Sequence, residues 1–116
     1  MIVVDVGVAT ELASSLPIVH RKVAFGTANV ARGPAMTPDQ ALAAIGVGLE
    51  VVAREAKRGL DLVCLGEMGI GNTTAASALV AALTGLPVAR VTGLGTGIDE
   101  ASARAKELLE RCSGAP

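Results

Sequence analysis

The chain opens on a run of apolar, largely β-branched residues, Met1 to Val8, interrupted by Asp5; with no capping residues before it, this pattern predicts an interior strand. Glu11 to Pro17 reads as a short polar connection, and His20-Arg21-Lys22 as solvated loop. From Val23 to Met36 neither a period of 2 nor one of 3.6 holds. Gly26, Thr27, Asn29, Arg32 and Gly33 there predict an ordered loop, serving either as a site wall or as a connection bonded to itself.

Thr37-Pro38-Asp39-Gln40 is a helix start, with Thr37 as N-cap, Pro38 at the first helical position and Gln40 closing a capping box. Leu42, Ile45, Leu49, Val52 and Ala56 then recur at helical spacing and predict the inner face. Glu50, Arg54, Glu55, Lys57 and Arg58 lie largely away from it, and Gly59 marks the stop. Gly46 and Gly48 within the helix are read as permitting close packing. Asp61 to Leu65 has the length and apolar content of a buried strand. After a glycine-rich loop, Thr73 to Leu83 reads as a helix apolar on nearly every face, capped by Asn72 and ended by Gly85 before Pro87. Asp99 is placed as the cap of a last helix from Glu100 to about Arg111, with Ala101, Ala105, Leu108 and Cys112 inward.

Helices between strands, with glycine-rich loops after the strands, predict an α/β fold with parallel pairing and ligand loops at the carboxyl ends of the strands. The 116 residues hold one domain with no internal boundary and are too few for a complete doubly wound sheet. The expected fold class is therefore a partial three-layer, parallel-sheet, Rossmann-like domain. Aromatics make up only 1% of the chain, with Phe25 alone, so any interior is Val, Leu, Ile and Ala packed around glycine. Ten basic and eleven acidic residues leave a formal charge of -1, with no basic run longer than a pair such as Arg21-Lys22, which argues against nucleic-acid or membrane-surface partners. Cys64 and Cys112 have no second ligand pair nearby, so zinc and dithiol redox chemistry are not indicated. No apolar run approaches the ~20 residues of a membrane span, and the expected location is the cytoplasm.

The chemistry concentrates at Leu65 to Ser77. Gly66, Gly69 and Gly71 permit positive φ and remove Cβ atoms, so N–H groups can converge near a helix start and make an anion site. The spacing approximates the phosphate loop of nucleoside triphosphatases, but Asn72 stands where that motif needs lysine. A single phosphate, held by N–H groups and the helix end, suits the loop better than a triphosphate. Gly93 to Ile98 fails the dinucleotide fingerprint, because Ile98 takes the last required glycine position. His20, alone among histidines, is read as solvated rather than catalytic. Asp5 either faces a site or is bonded to neighbouring loops, the second reading being favoured.

Four blocks in order carry a resemblance: Val4 to Val8; Arg21 to Ala24 running on through Gly26 to Asn29 and Ala31 to Met36; Gly66 to Thr74; and Gly95 to Asp99. They resemble nicotinate-nucleotide:dimethylbenzimidazole phosphoribosyltransferases over about the whole chain, as the central part of a longer enzyme. The resemblance implies transfer of phosphoribosyl from nicotinate mononucleotide to 5,6-dimethylbenzimidazole, giving α-ribazole 5′-phosphate and nicotinate in cobalamin lower-ligand synthesis. It implies no metal or organic cofactor, and a homodimer for the complete enzyme. By the same resemblance, Gly69, Ile70, Gly71, Asn72 and Thr73 bind phosphate or substrate, and Lys106 is the phosphate's cation or else a solvated lysine. Glu67 serves the ribose or C1′ of the transition state. The family's general base has no counterpart here. The alternative is a non-catalytic phosphate- or mononucleotide-binding module, or one piece of a split enzyme.

Overall fold

The opening apolar run forms a much shorter strand than its sequence predicts: β1 is Val4–Asp5, paired in parallel with β2, Val19–His20, in the register Val4 to Val19 and Asp5 to His20. Pairing continues beyond the regular ladder, because Val19 N–H donates to Val3 O, Arg21 N–H to Asp5 O, Val23 N–H to Val6 O and Gly26 N–H to Gly7 O, over 2.8 to 3.0 Å. The strand β2 thus takes in His20, expected to be solvated loop, and follows closely on the expected polar connection. The short apolar stretch Ile18-Val19 sits between Pro17 and three polar residues and carries no alternation to announce it. Gly26 turns the chain at φ 73°, where a Cβ would come within 3.2 Å of Ala9 Cβ, so glycine is required there on two counts.

In this computed structural model the described residues are 1–69 and 71–92, and the chain divides into two units, Met1–Leu65 and Gly66–Pro116. The last expected helix, with Asp99, Lys106 and Cys112, lies outside the described residues.

In the first unit α1 spans Pro38–Ala56 and begins as its sequence dictates. Thr37 Oγ1 accepts from Gln40 N–H at 3.1 Å while Gln40 Oε1 accepts from Thr37 N–H at 2.9 Å, completing the capping box. Gly59, at φ 89°, closes the last turn, its N–H donating to Ala56 O. The faces, however, are reversed. Val47 is buried, with Gln40, Ala44, Val51 and Glu55 half-buried along its line, whereas Leu42, Ile45 and Leu49 are 68%, 62% and 69% exposed. The more buried side of the helix, with Ala43, Val47 and Glu50, faces His20 to Val23 across an open cavity of about 570 Å³, so only a narrow stripe is covered. Nor do Gly46 and Gly48 pack closely, since a Cβ at either would meet nothing within 4 Å. A paired Arg21–Glu50 fork, with contacts of 2.6 and 2.5 Å, joins the end of β2 to α1.

The loop after β2 resolves the choice left open by its composition. Asn29 Oδ1 accepts from Ala31 N–H, Arg32 N–H donates to Asn29 O, and Ala28 N–H reaches Ala35 O, so the segment is bonded to itself. Asp61 to Leu65 is not a strand: Leu62 and Leu65 are 77% and 90% exposed and none of this run is in a ladder. An apolar run becomes a strand only beside a free edge in register, and among the described residues no backbone pairs with it.

In the second unit α2 spans Thr73–Thr84 and ends at Gly85, whose φ of 67° lets its N–H donate to Ala81 O. Its inward line is small and polar, Thr74, Ser77, Ala78 and Ala81, with Ser77 buried. After Pro87 comes α3, Val88–Val91, a short helix that the sequence pattern did not indicate; it packs on α2 with Val88 buried.

Candidate functional site

The glycine loop enters α2 with the backbone its composition requires. Gly69 and Gly71 sit at φ 75° and 73°, a region in which an L side chain is strained, and Gly66 does not share it. Asn72 occupies the N-cap position but makes no side-chain capping bond; its carbonyl accepts from Ala76 N–H at 2.9 Å instead. The expectation of an Asn72 side-chain cap is therefore corrected: its φ and ψ of -104° and -11° are already near-helical, which turns the amide away from the N–H groups of the first turn. Asn72 Oδ1 is buried and has no hydrogen-bond partner among the described residues. Thr73 stands exposed at the first helical position.

Glu67 bends over this loop. Its Oε2 accepts from Gly69 N–H at 2.5 Å, so a carboxylate already holds one of the amides expected to meet phosphate. The contact shows that the Gly69 amide presents itself to a carboxylate two residues away. Of the other expected site residues, Ile70 and Lys106 lie outside the described residues.

The first unit has polar chemistry of its own at the carboxyl ends of β1 and β2. Asp5, 3% exposed, accepts from Val8 N–H at 2.9 Å, and its Oδ2 lies 2.7 Å from Lys22 Nζ. The angles at Oδ2 are poor for a hydrogen bond, but at this separation the two charges are paired, and the distance decides the matter. Lys22 beside it, and then the Val8 N–H, hold the Asp5 carboxyl below the ordinary carboxylate range, against a weaker opposing push from burial. Lys22 also donates to Val8 O at 2.6 Å and Thr10 O at 3.2 Å and lies 4.9 Å from the Phe25 ring centroid. The ammonium thus makes two hydrogen bonds and one ion pair, and the favoured reading of Asp5 as bonded to neighbouring loops holds. An open cavity of about 410 Å³ adjoins this pair, lined by Asp5, Glu11, His20, Lys22 and Phe25 among others. Lys22 was missed as a partner; a buried aspartate calls for a cation, but sequence offers no way to choose among several.

Similarity to known proteins agrees with these features. A family model described as Phosphoribosyltransferase matches residues 1–111. The nicotinate-nucleotide–dimethylbenzimidazole phosphoribosyltransferase of Chloroflexus aggregans is 55% identical over 112 residues, covering 96% of this chain and 32% of the relative. That of Geobacter sulfurreducens is 54% identical over 110 residues, with coverages of 93% and 31%. The crystal structure of CobT from Thermus thermophilus superposes with a TM-score of 0.86 at 50% identity, over 95% of this chain and 33% of that one. The chain thus spans about a third of the length of the relatives it matches. Its parallel strands and helices are an incomplete version of their α/β fold. By the extent of the match and the level of identity, the chain belongs to the phosphoribosyltransferase family.

Proposed function

We propose that this chain supplies the phosphate- and ribose-binding part of an enzyme that moves phosphoribosyl from nicotinate mononucleotide to 5,6-dimethylbenzimidazole. The observation that carries the reading is the loop before α2, where two glycines at positive φ shape the backbone and the Gly69 N–H already engages an anion. In the reaction the C1′–nitrogen bond to nicotinate breaks, an azole nitrogen bonds to C1′, and the azole proton passes to a base. The products are nicotinate and α-ribazole 5′-phosphate. Gly69, Ile70 and Gly71 would donate N–H groups to the single phosphate, each charge-assisted bond contributing about 1.5 to 3 kcal/mol net. Lys106 would add the cation that Asn72 does not, and Asn72 and Thr73 would meet the remaining substrate polar atoms.

Glu67, once displaced from Gly69 by phosphate, is released to the ribose side, where its charge stabilises the cationic character developing at C1′. No residue of this chain is assigned as the base. That role, and most of the azole pocket, fall to the two thirds of the enzyme that the chain does not span, so catalysis is a property of the complete protein, a homodimer working in the cytoplasm. The residues from 1 to 116 form the central part of its phosphoribosyltransferase domain. Titration calorimetry of the chain with nicotinate mononucleotide should show weak binding that Gly71→Val abolishes. Equal binding by both forms removes the loop from the reading.

A further inference from the structure

The more apolar face of α1 is turned outward. Leu42, Ile45, Leu49 and Val52 follow one another at helical spacing and are between 38% and 69% exposed, while the inward line of the same helix buries only Val47. Gly46 and Gly48 flank this stripe, one on either side, in the middle of a helix where each weakens it relative to alanine. A Cβ at either position would stand in open space, so nothing among the described residues accounts for the missing side chains. Large aliphatic side chains and flanking helical glycines together describe a surface that another backbone approaches closely.

We infer that this stripe is the seat of an apolar element belonging to the part of the family polypeptide that the chain does not span. The relatives are about three times as long as the matched segment, so the occupant is at hand wherever the family's enzyme is complete. A second copy of this chain is the weaker candidate, because four aliphatic side chains on one helix fall short of the ~800 Å² per partner that a stable dimer buries. The inference rests on family membership and not on the proposed reaction.

The test uses the chain as it stands and a chimera in which it replaces the matching segment of the Chloroflexus aggregans relative. Hydrogen exchange at Leu42 to Val52 should be roughly tenfold or more slower in the chimera than in the isolated chain. Leu42→Lys with Leu49→Lys should lower the chimera's Tm by more than about 5 °C and leave the isolated chain unchanged, because a charge is costly only where the stripe is covered. Gly46→Ala with Gly48→Ala should raise the stability of the isolated chain through helix propensity and lower that of the chimera. Three results overturn the inference: a chimera indifferent to the lysine pair, exchange equally slow in both proteins, which assigns the cover to this chain's own residues beyond 92, or a concentration-dependent dimer of the isolated chain that the lysine pair dissolves. Nicotinate release by the chimera is scored separately, so loss of turnover with an intact Tm difference counts against the proposed reaction alone.

Discussion

The two units hold functional backbone in opposite ways. In the first, a buried carboxylate and one lysine bind three stretches of chain together, Asp5 in β1, the Val8 to Thr10 turn and the segment after β2, through an ion pair and two hydrogen bonds. In the second, the loop before α2 depends on glycine conformation, and a side-chain contact it makes among the described residues is the exposed Glu67 to Gly69 bond. A thin interior, in which Val47 and Val88 are the buried hydrophobics among the described residues, makes the first device necessary. The second leaves the Gly69 amide on an exposed carboxylate that nothing else fixes among the described residues, so the first device is rigid and the second replaceable.

The largest effect should come from breaking the committed pair. Lys22→Met leaves Asp5 buried without its cation and frees two carbonyls, and should cost more stability than any other single change considered, read as the loss of a cooperative transition in the first unit. The same pair sets an acid limit. Because the folded state holds Asp5 below its ordinary value, its contribution is fully present above the unfolded carboxylate range near pH ~4 and is lost as pH falls through the folded value. Acid titration of Asp5→Asn should lack that component; an identical acid midpoint in both proteins would contradict it.

At the loop the contrast predicts a gain. Glu67→Gln removes the carboxylate that competes for the Gly69 amide, so inorganic phosphate should bind about tenfold tighter to the isolated chain, the scale of one charge-assisted bond. In a complete enzyme the same change should lower kcat far more than it raises KM. Weaker phosphate binding by the variant would make Glu67 a ligand rather than a competitor.

Two smaller effects mark the exposed part of the first unit. Thr37→Ala removes half of the capping box and should cost about 1 kcal/mol in denaturant unfolding. Arg21→Ala breaks the fork to Glu50, but with those side chains 46% and 56% exposed the cost should stay below about 1 kcal/mol and shrink with salt. A larger loss for Arg21 than for Thr37 would show that the fork, not the cap, fixes α1.

What the sequence determined by itself is local. Thr37, Pro38 and Gln40 specify the start of α1 because capping needs only neighbours within one turn, and Gly59 and Gly85 end their helices because positive φ is a property of one residue. The positive φ at Gly69 and Gly71 follows in the same way, and the motif around them carried the family. Tertiary structure decided everything that needs a distant partner. Val19–His20 became a strand because the β1 edge was there to receive it, while the more apolar Asp61 to Leu65 did not, for want of an edge. Asp5 chose Lys22 among the cations, and α1 turned its weaker face inward. Periodicity shows that a helix has an apolar face, but which face is covered depends on the surface that meets it, and that surface is made by residues distant in sequence.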